Sequence, residues 1–432
     1  MSCSEWKETE VGKIPSHWEV ITIDEIADVK GGKRLPKGES LQENKTPYPY
    51  IRLVDILNNR VDKTNIMYLT KDVQSKISRY IVENDDICLA IVGNTIGLVF
   101  YITENEDKFN LTENAARITN LDTSKINSKF LFYYLNSKSG QHKIKSSQVG
   151  SAQGKLPIKN IKSISIPLPP LNEQEKIADV LSSLDNKIEL NNEMNKTLEE
   201  MAKSIFKRWF VDFEFPNEDG QPYKSSGGEM VESELGMIPK GWEVNKLGDL
   251  VNIITKSEKP FNNESILYEY FSIPAFDNNK LPVFEYGKNI SSNKYIIDNH
   301  CILMSKLNPG NKRIWNPNCT TNKSICSTEF MVYKPISKDK KSFIYEILND
   351  ERFTDFLISN ATGSTGSRQR VKPKDTLEYS IVIPDQDSIE LFTNIINPIH
   401  YKIQLNIQNI KELNNLRDIL LPKLMSGDIR IK

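Results

Sequence analysis

Apolar residues recur at alternating intervals of three and four positions in two long stretches of the chain, residues 173–212 and 387–421. This spacing places the side chains along one side of an α-helix, so both stretches are predicted to be helical. At about 1.5 Å per residue, the first helix would be roughly 60 Å long. Because each apolar stripe is narrow and needs a partner, we expect the two helices to pack against each other. The alternative is a pair of unrelated amphipathic surface helices.

The two stripes repeat each other position by position, at one constant offset along the chain. Pro398 lies inside the second stripe, and we expect a kink or a break near Asn397, because proline lacks the N–H donor and its ring clashes with the preceding turn.

The predicted helix seam consists of Leu181, Leu184, Ile188, Asn191, Asn195, Leu198, Met201 and Ile205 in the first stripe, and of Ile396, Ile399, Ile403, Asn406, Ile410, Leu413, Leu416 and Leu420 in the second.

The chain also contains two similar opening segments, GKIPSHWEV and GMIPKGWEV, which begin at Gly12 and Gly236. Together with the paired stripes, they indicate two tandem copies of a domain followed by a long helix. The tryptophan of each opening is interpreted as a core anchor. We predict globular domains at residues 1–170 and 235–384, a central helix at 171–215, a linker at 216–234, and a distal helix with a C-terminal tail at 385–432.

Net charge limits how such a chain could bind nucleic acid. The 432 residues carry a formal charge of −1, which excludes a uniformly basic surface and requires local basic patches. The five cysteines include no C-x-x-C pair and the four histidines are scattered, so we expect free thiols, no zinc site and a cytoplasmic setting. No apolar run reaches the roughly 18 to 20 residues of a membrane span.

Local basic patches do occur, in glycine-rich segments without acidic residues: KGGKRLPKG, GSAQGK and GSTGSRQRVKPK. Glycine permits close backbone approach, lysine supplies phosphate contacts, and arginine, glutamine, asparagine and serine can read base edges. The alternative is that these segments are solvated turns. The candidate DNA-binding residues are Lys30, Lys33, Arg34, Lys37, Asn94, Ser151, Gln153 and Lys155 in the first half, and Lys306, Lys312, Arg313, Ser364, Thr365, Ser367, Arg368, Gln369 and Arg370 in the second.

Motifs of several reaction classes are missing from the sequence. It contains no Asn/Asp-Pro-Pro-aromatic methyltransferase signature, no G-x-x-x-x-G-K-[ST] loop, and neither G-x-S-x-G nor H-E-x-x-H. We therefore predict no catalytic residues and no metal ligands. Two related domains with different basic loops, held apart by a stiff spacer of roughly 60 Å, would suit the reading of two short DNA sequences one to two helical turns apart.

A cluster of aromatic residues closes the first predicted helix: Trp209, Phe210, Phe213 and Phe215. We predict that it binds a partner protein. The alternative is that these rings pack the end of the helix onto a domain.

Several segments resemble one known family, the specificity subunits of Type I restriction–modification enzymes. The resemblance lies in PLPPLNEQEKIADVLSSLDNKIELN and IFKRWFVDF in the middle of the chain, in LLPKLMSGDIRI at its end, and in the paired G-x-I-P-x-x-W openings. It implies an α+β fold in which two tandem α/β target recognition domains are separated by two long helices. These helices would pack as an antiparallel coiled coil, with a pseudo-twofold internal repeat.

The same resemblance implies partners and chemistry. The chain would bind double-stranded DNA, two methyltransferase subunits that use S-adenosylmethionine, and restriction subunits that use ATP and Mg²⁺. It would hold no cofactor of its own and contact no membrane. Two alternatives stay open at this point: a stand-alone dimeric DNA-binding regulator without methyltransferase partners, and a structural adaptor between proteins.

Overall fold

The computed structural model describes residues 5–150, 154–363 and 369–431. These residues fall into two compact units, one formed by residues up to 188 together with those from 412 onwards, and the other by residues 189–411. Each unit thus contains one globular portion and a part of each long helix. The domain limits drawn from the sequence stay a prediction.

Two of the helices are far longer than the rest, with 40 residues in α5 and 41 in α9. The helices in the described part of the chain are α1 (Lys71–Ile77), α2 (Ser128–Asn136), α3 (Lys138–Ser146), α4 (Ile158–Lys162), α5 (Leu171–Phe210), α6 (Ile273–Asn279), α7 (Lys341–Asn349), α8 (Glu351–Ser359) and α9 (Gln386–Ser426).

The strands are short, and the two units contribute them in similar order. The strands of the first unit are β1 (Trp6–Thr9), β2 (Gly12–Pro15), β3 (Glu19–Thr22), β4 (Asp28–Gly31), β5 (Pro49–Ile51), β6 (Ile56–Leu57), β7 (Arg60–Val61), β8 (Met67–Tyr68), β9 (Ile87–Ala90), β10 (Val99–Tyr101), β11 (Asn110–Leu111), β12 (Ala115–Thr119) and β13 (Ser165–Leu168). Those of the second unit are β14 (Met230–Ser233), β15 (Gly236–Pro239), β16 (Glu243–Lys246), β17 (Val251–Ile253), β18 (Ser257–Glu258), β19 (Leu267–Phe271), β20 (Val283–Tyr286), β21 (Lys294–Ile296), β22 (Ile302–Ser305), β23 (Ile314–Trp315), β24 (Ser324–Ser327), β25 (Phe330–Pro335) and β26 (Ser380–Ile383).

Both units follow one sheet plan. The central sheet of the first unit has the order β10–β9–β12–β4, and that of the second has β23–β22–β25–β17, with antiparallel pairing throughout. A second sheet in each unit contains one parallel pair, β11 with β5 and β24 with β19. The predicted α+β fold with an internal repeat is confirmed.

The tryptophans of the two openings anchor the long helices. Trp18 is buried, and its indole N–H donates to Oε2 of Glu173 in the first turn of α5 (3.0 Å). Trp242 is buried as well and donates to Oδ2 of Asp385, immediately before α9 (2.8 Å). The prediction of two core anchors is therefore confirmed.

The two long helices pack against each other in opposite directions. In the first unit, Leu181 near the start of α5 shares a core with Leu424 near the end of α9. In the second unit, Phe206 near the end of α5 shares a core with Phe392 near the start of α9. The antiparallel pair is confirmed, and unrelated surface helices are excluded.

The seam itself deviates from the predicted stripe at one position in each helix. Met201 and Leu416, which occupy equivalent places in the two stripes, are 47% and 44% exposed, whereas the neighbouring Ala202 is buried. Their assignment to the seam was wrong. An α-helix has 3.6 residues per turn, so a strict alternation of three and four residues drifts off one face by about 20° per heptad. The other predicted seam residues are buried or half-buried.

The expected break at Pro398 does not occur, because α9 is continuous from Gln386 to Ser426. Pro398 and Asn394, whose carbonyl loses its helical donor, are both exposed. Water can therefore satisfy that carbonyl, which lowers the cost of a proline inside the helix.

Candidate nucleic-acid interface

In the first unit, three loops meet at one end of the central sheet. Gly31 at the end of β4 pairs with Ala116, and Ala90 at the end of β9 pairs with Ala115. Because the strands are antiparallel, the loops that follow β4 and β9 lie beside the loop that precedes β12. This end of the sheet therefore brings the KGGKRLPKG segment next to residues 91–98.

The shape of the first basic loop depends on a glycine. A Cβ on Gly32 would lie 2.0 Å from the carbonyl oxygen of Thr112, so a larger residue cannot take this path. The backbone N–H of Lys33 donates to Leu111 (2.9 Å), and the hydroxyl of Tyr50 donates to the carbonyl of Lys33 (2.9 Å). The loop is thus held to the sheet by its backbone, and its cationic side chains are left available for other contacts.

Those side chains differ in how far the protein engages them. Lys30 forms an ion pair with Asp28 (3.1 Å), and the ammonium of Lys33 lies 5.4 Å from the ring centre of Tyr80. Arg34 is 85% exposed and lies 3.6 Å from Glu113, and Lys37 is exposed. Exposed ion pairs contribute only about 0 to 1 kcal/mol, so these cations could exchange their partners for phosphates at little cost.

A second element of the same surface joins the turn after β9 to the segment before α4. The backbone N–H of Gly93 donates to Gly154 (2.9 Å), and that of Leu156 donates to Ile91 (2.9 Å). Asn94 and Lys155 are exposed on this element. The structure therefore brings Asn94 and Lys155 together, although they are far apart in the sequence.

The second unit contains the same element, with two backbone hydrogen bonds at the corresponding positions. The backbone N–H of Asn308 donates to Gln369 (2.9 Å), and that of Val371 donates to Lys306 (3.1 Å). Each of these positions is related to its first-unit counterpart by the offset that also relates the two helix stripes. Arg370 thus takes the structural position of Lys155. Each of the two forms paired backbone bonds with a preceding segment, Arg370 at residue 362 and Lys155 at residue 149.

Only part of the predicted cationic set of the second unit faces outward. The ammonium of Lys306 donates to the carbonyl of Thr328 (2.6 Å), and that of Lys312 donates to Asn349 (2.7 Å). Burial lowers the pKa of both lysines. The guanidinium of Arg313 binds both carboxylate oxygens of Asp277 (2.6 and 3.0 Å).

Gln369 and Arg370 are the second-unit candidates that the structure leaves accessible. The Arg370 side chain is 60% exposed, and its guanidinium donates to Glu329 (3.0 Å). Sequence reasoning missed Glu113 and Glu329, the two acids that contact the exposed Arg34 and Arg370. Both lie far along the chain from the arginines that they contact, so no local pattern could have identified them. The remaining predicted residues lie outside the described residues: Ser151, Gln153, Ser364, Thr365, Ser367 and Arg368.

The aromatic cluster at the end of α5 lies inside the second unit. Trp209, Phe210 and Phe215 are buried, and Phe213 is half-buried. Phe215 stacks on Trp242 with ring centres 4.6 Å apart, and Phe210 and Phe213 each lie 5.8 Å from the same ring. These positions favour packing of the helix end onto the domain, because a partner could reach the buried rings only after they unpacked.

Metal ligands and membrane spans are both lacking in the part of the chain that the structure describes. There, no group of three or more His, Cys, Asp or Glu side chains could hold a metal ion. Among the described helices, none is both long and apolar enough to span a bilayer.

Comparison with known proteins connects this architecture to one family. Residues 15–200 match the family of the Type I restriction modification DNA specificity domain. The chain is 29% identical to the Type I restriction enzyme MjaIX specificity subunit of Methanocaldococcus jannaschii, over 99% of this chain and 97% of that protein. It is 24% identical to the HindI specificity subunit of Haemophilus influenzae, over 88% of this chain and 94% of that protein.

A solved structure shares the fold. The S subunit of a Type I restriction-modification system from M. genitalium superposes with a TM-score of 0.59 at 18% identity, covering 94% of this chain and 96% of that one. The fold and the paired loop elements define a duplicated protein with one globular portion in each half. Over nearly its full length, the chain is similar to specificity subunits of Type I restriction–modification systems.

Proposed function

We propose that this chain reads a bipartite double-stranded DNA target, with one recognition domain on each half-site. The observation that carries the proposal is the repeated loop element, which has the same backbone bonds and different side chains in the two units. Gly154 and Lys155 in the first unit correspond to Gln369 and Arg370 in the second. Two half-sites of different sequence require different side chains, and the repeated loop element presents them on the same backbone arrangement.

The side chains divide into two roles on this proposal. Phosphates are contacted by Lys33, Arg34, Lys37 and Lys155, which set the register on the duplex. Gln369 and Arg370 contact base edges, since glutamine pairs well with adenine and arginine with guanine in the major groove. Glu329 holds the Arg370 guanidinium in a defined orientation before DNA arrives, which reduces the entropy lost on binding.

We further propose that other subunits supply the chemistry. The chain would scaffold methyltransferase subunits, which bring S-adenosylmethionine, and restriction subunits, which bring ATP and Mg²⁺. The purified chain alone should then transfer no methyl group and cut no DNA strand, and methyltransferase subunits should co-purify with it. Co-purification also separates this proposal from a stand-alone regulator.

The decisive experiment is a map of methylated adenines in cells that express the complex with one altered recognition element. Gln369→Ala combined with Arg370→Ala should change or abolish the bases required in one half-site and leave the other half-site unchanged. Lys155→Ala should weaken methylation through the opposite half-site. Lys224→Ala, which alters an exposed lysine in the segment between α5 and β14, serves as the matched control. Unchanged methylation positions in the double variant would refute the assignment.

A further inference from the structure

The second unit contains a cavity of about 50 Å³ that borders both long helices and α7. Its walls include Glu199 and Ala202 from α5, Glu346 from α7, His400 from α9, and Trp315 from β23. At about 10 to 15 Å³ for each water-sized position, it has room for roughly three to five non-hydrogen atoms. The candidate DNA-binding residues that the structure describes do not line it, so it calls for a separate explanation.

The internal repeat shows what the same place holds in the first unit. Helices α2 (SKFLFYYLN) and α7 (KSFIYEILN) align without a gap, so Tyr133 corresponds to Glu346. On the long helices, Asp185 corresponds to His400 when the two stripes are aligned. The hydroxyl of Tyr133 donates to Oδ2 of Asp185 (2.7 Å), and Nε2 of His400 lies 2.8 Å from Oε1 of Glu346. Both units therefore join the same two helical positions by a polar contact.

The third member of this contact differs between the units. In the first unit, the guanidinium of Arg417 on α9 donates to Oδ1 of Asp185 (2.9 Å) and to Asp418 (3.3 Å). The residue at the corresponding position of α5 in the second unit is Ala202. The arginine side chain that occupies this place in one unit is thus missing from the other, and Ala202 lines the cavity that results.

Two acceptors in the walls of the cavity lack a strong donor. Oδ1 of Asn316 is buried and has no hydrogen-bond partner among the described residues. Oε2 of the buried Glu346 accepts a long bond from Nδ2 of Asn349 (3.4 Å). Glu199 is already paired with Lys280 (2.9 Å). A buried acceptor without a good donor is unfavourable, so a ligand that carries several N–H groups would stabilise this site.

We propose that the cavity binds a guanidinium group, or a small planar cation of the same kind, in the place that Arg417 fills in the first unit. A guanidinium has four non-hydrogen atoms and five N–H donors when it is attached to one carbon chain, which suits the size of the cavity and its acceptors. Trp315 and Tyr345 add aromatic walls, which favour a planar cation.

The test uses methylguanidinium chloride and the purified full-length chain, with sodium chloride at equal ionic strength as the control. Calorimetric titration should show one saturable site. At ten times the dissociation constant, the ligand should raise the melting temperature by roughly 2 to 5 °C. Ala202→Arg supplies the missing side chain and should lower the affinity at least about tenfold. Met201→Arg, which adds the same charge at an exposed neighbouring position that does not line the cavity, should leave it within about twofold.

A second variant keeps the proposal testable if Ala202→Arg does not fold. Arg417→Ala should open an equivalent site in the first unit, so the stoichiometry should rise from one methylguanidinium to two. Absence of saturable binding to the unaltered chain would overturn the proposal, as would binding that Ala202→Arg leaves intact.

Two sources could supply the guanidinium: a free small molecule or an arginine side chain of a partner subunit. Repeating the titration on the complex with co-purified methyltransferase subunits distinguishes them. If the isolated chain binds methylguanidinium and the complex does not, a partner arginine fills the cavity. If both bind it, the natural ligand is a free cation.

Discussion

Two buried asparagines of the second unit, Asn191 and Asn406, should respond to substitution in opposite directions. Nδ2 of Asn406 donates to Oδ1 of Asn195 (2.8 Å) across the two long helices. Nδ2 of Asn191 is buried and has no partner among the described residues. The repeat explains the difference: Asn191 corresponds to Asn406, but the counterpart of Asn195 is Ile410, whose side chain contains no acceptor.

The magnitudes follow from this geometry. Asn191 is 2% exposed, so its unpaired donor costs about 1 to 3 kcal/mol, and Asn191→Leu removes that cost while it adds buried apolar surface. We expect the free energy of unfolding to rise by about 1 to 2 kcal/mol. Asn406→Ala deletes an existing bond, leaves Oδ1 of Asn195 without its donor and opens a small cavity. It also removes the buried Oδ1 of Asn406, which has no partner among the described residues, so we expect a net loss of about 1 to 3 kcal/mol.

Urea unfolding followed by circular dichroism at the helical band measures both changes as shifts of the midpoint at constant slope. Each variant serves as the control for the other, since both remove one amide from the same seam. If Asn191→Leu lowers the free energy of unfolding as much as Asn406→Ala does, the unpaired Asn191 amide does not destabilise the fold, and this explanation is refuted.

Three further outcomes are expected. Gly32→Ala should abolish binding of specific DNA, because its Cβ would collide with the Thr112 carbonyl, and gel-shift titration checks this. Replacing Lys33 and Arg34 together by Ala should reduce the slope of log affinity against log salt by about 1.8, or about 0.9 for each lost phosphate contact; an unchanged slope would remove both from the interface. Burial lowers the pKa of Lys341 to about 8, so the folded state binds fewer protons than the unfolded state above that pH. Stability should therefore rise between about pH 8 and 9 by more than it does in Lys341→Met, as melting temperatures would show.

Local patterns in the sequence were sufficient to predict the two long helices and the internal duplication of the chain. The alternation of three and four residues identified both long helices, and the repeated Gly-x-Ile-Pro-x-x-Trp opening identified the two anchors, Trp18 and Trp242. These features depend on neighbours within a turn or two of the same element. The glycine-rich basic loops were found for the same reason, since composition and turn residues are local.

The tertiary structure decided which of those residues are available for binding. Lys312 and Arg313 were predicted to contact DNA, yet they are held by Asn349 and Asp277, both of which are distant in the sequence. The alternation drifts off one face of the helix by about 20° per heptad. The sequence alone could not show that Ala202 takes the inward place of Met201, because that depends on the domain surface that the helix meets. Nor could it show that the absence of one arginine leaves a cavity. Ion pairs and buried space are made by residues that meet only on folding, whereas periodicity and turn chemistry are carried by consecutive residues, and only the latter can be read along a chain.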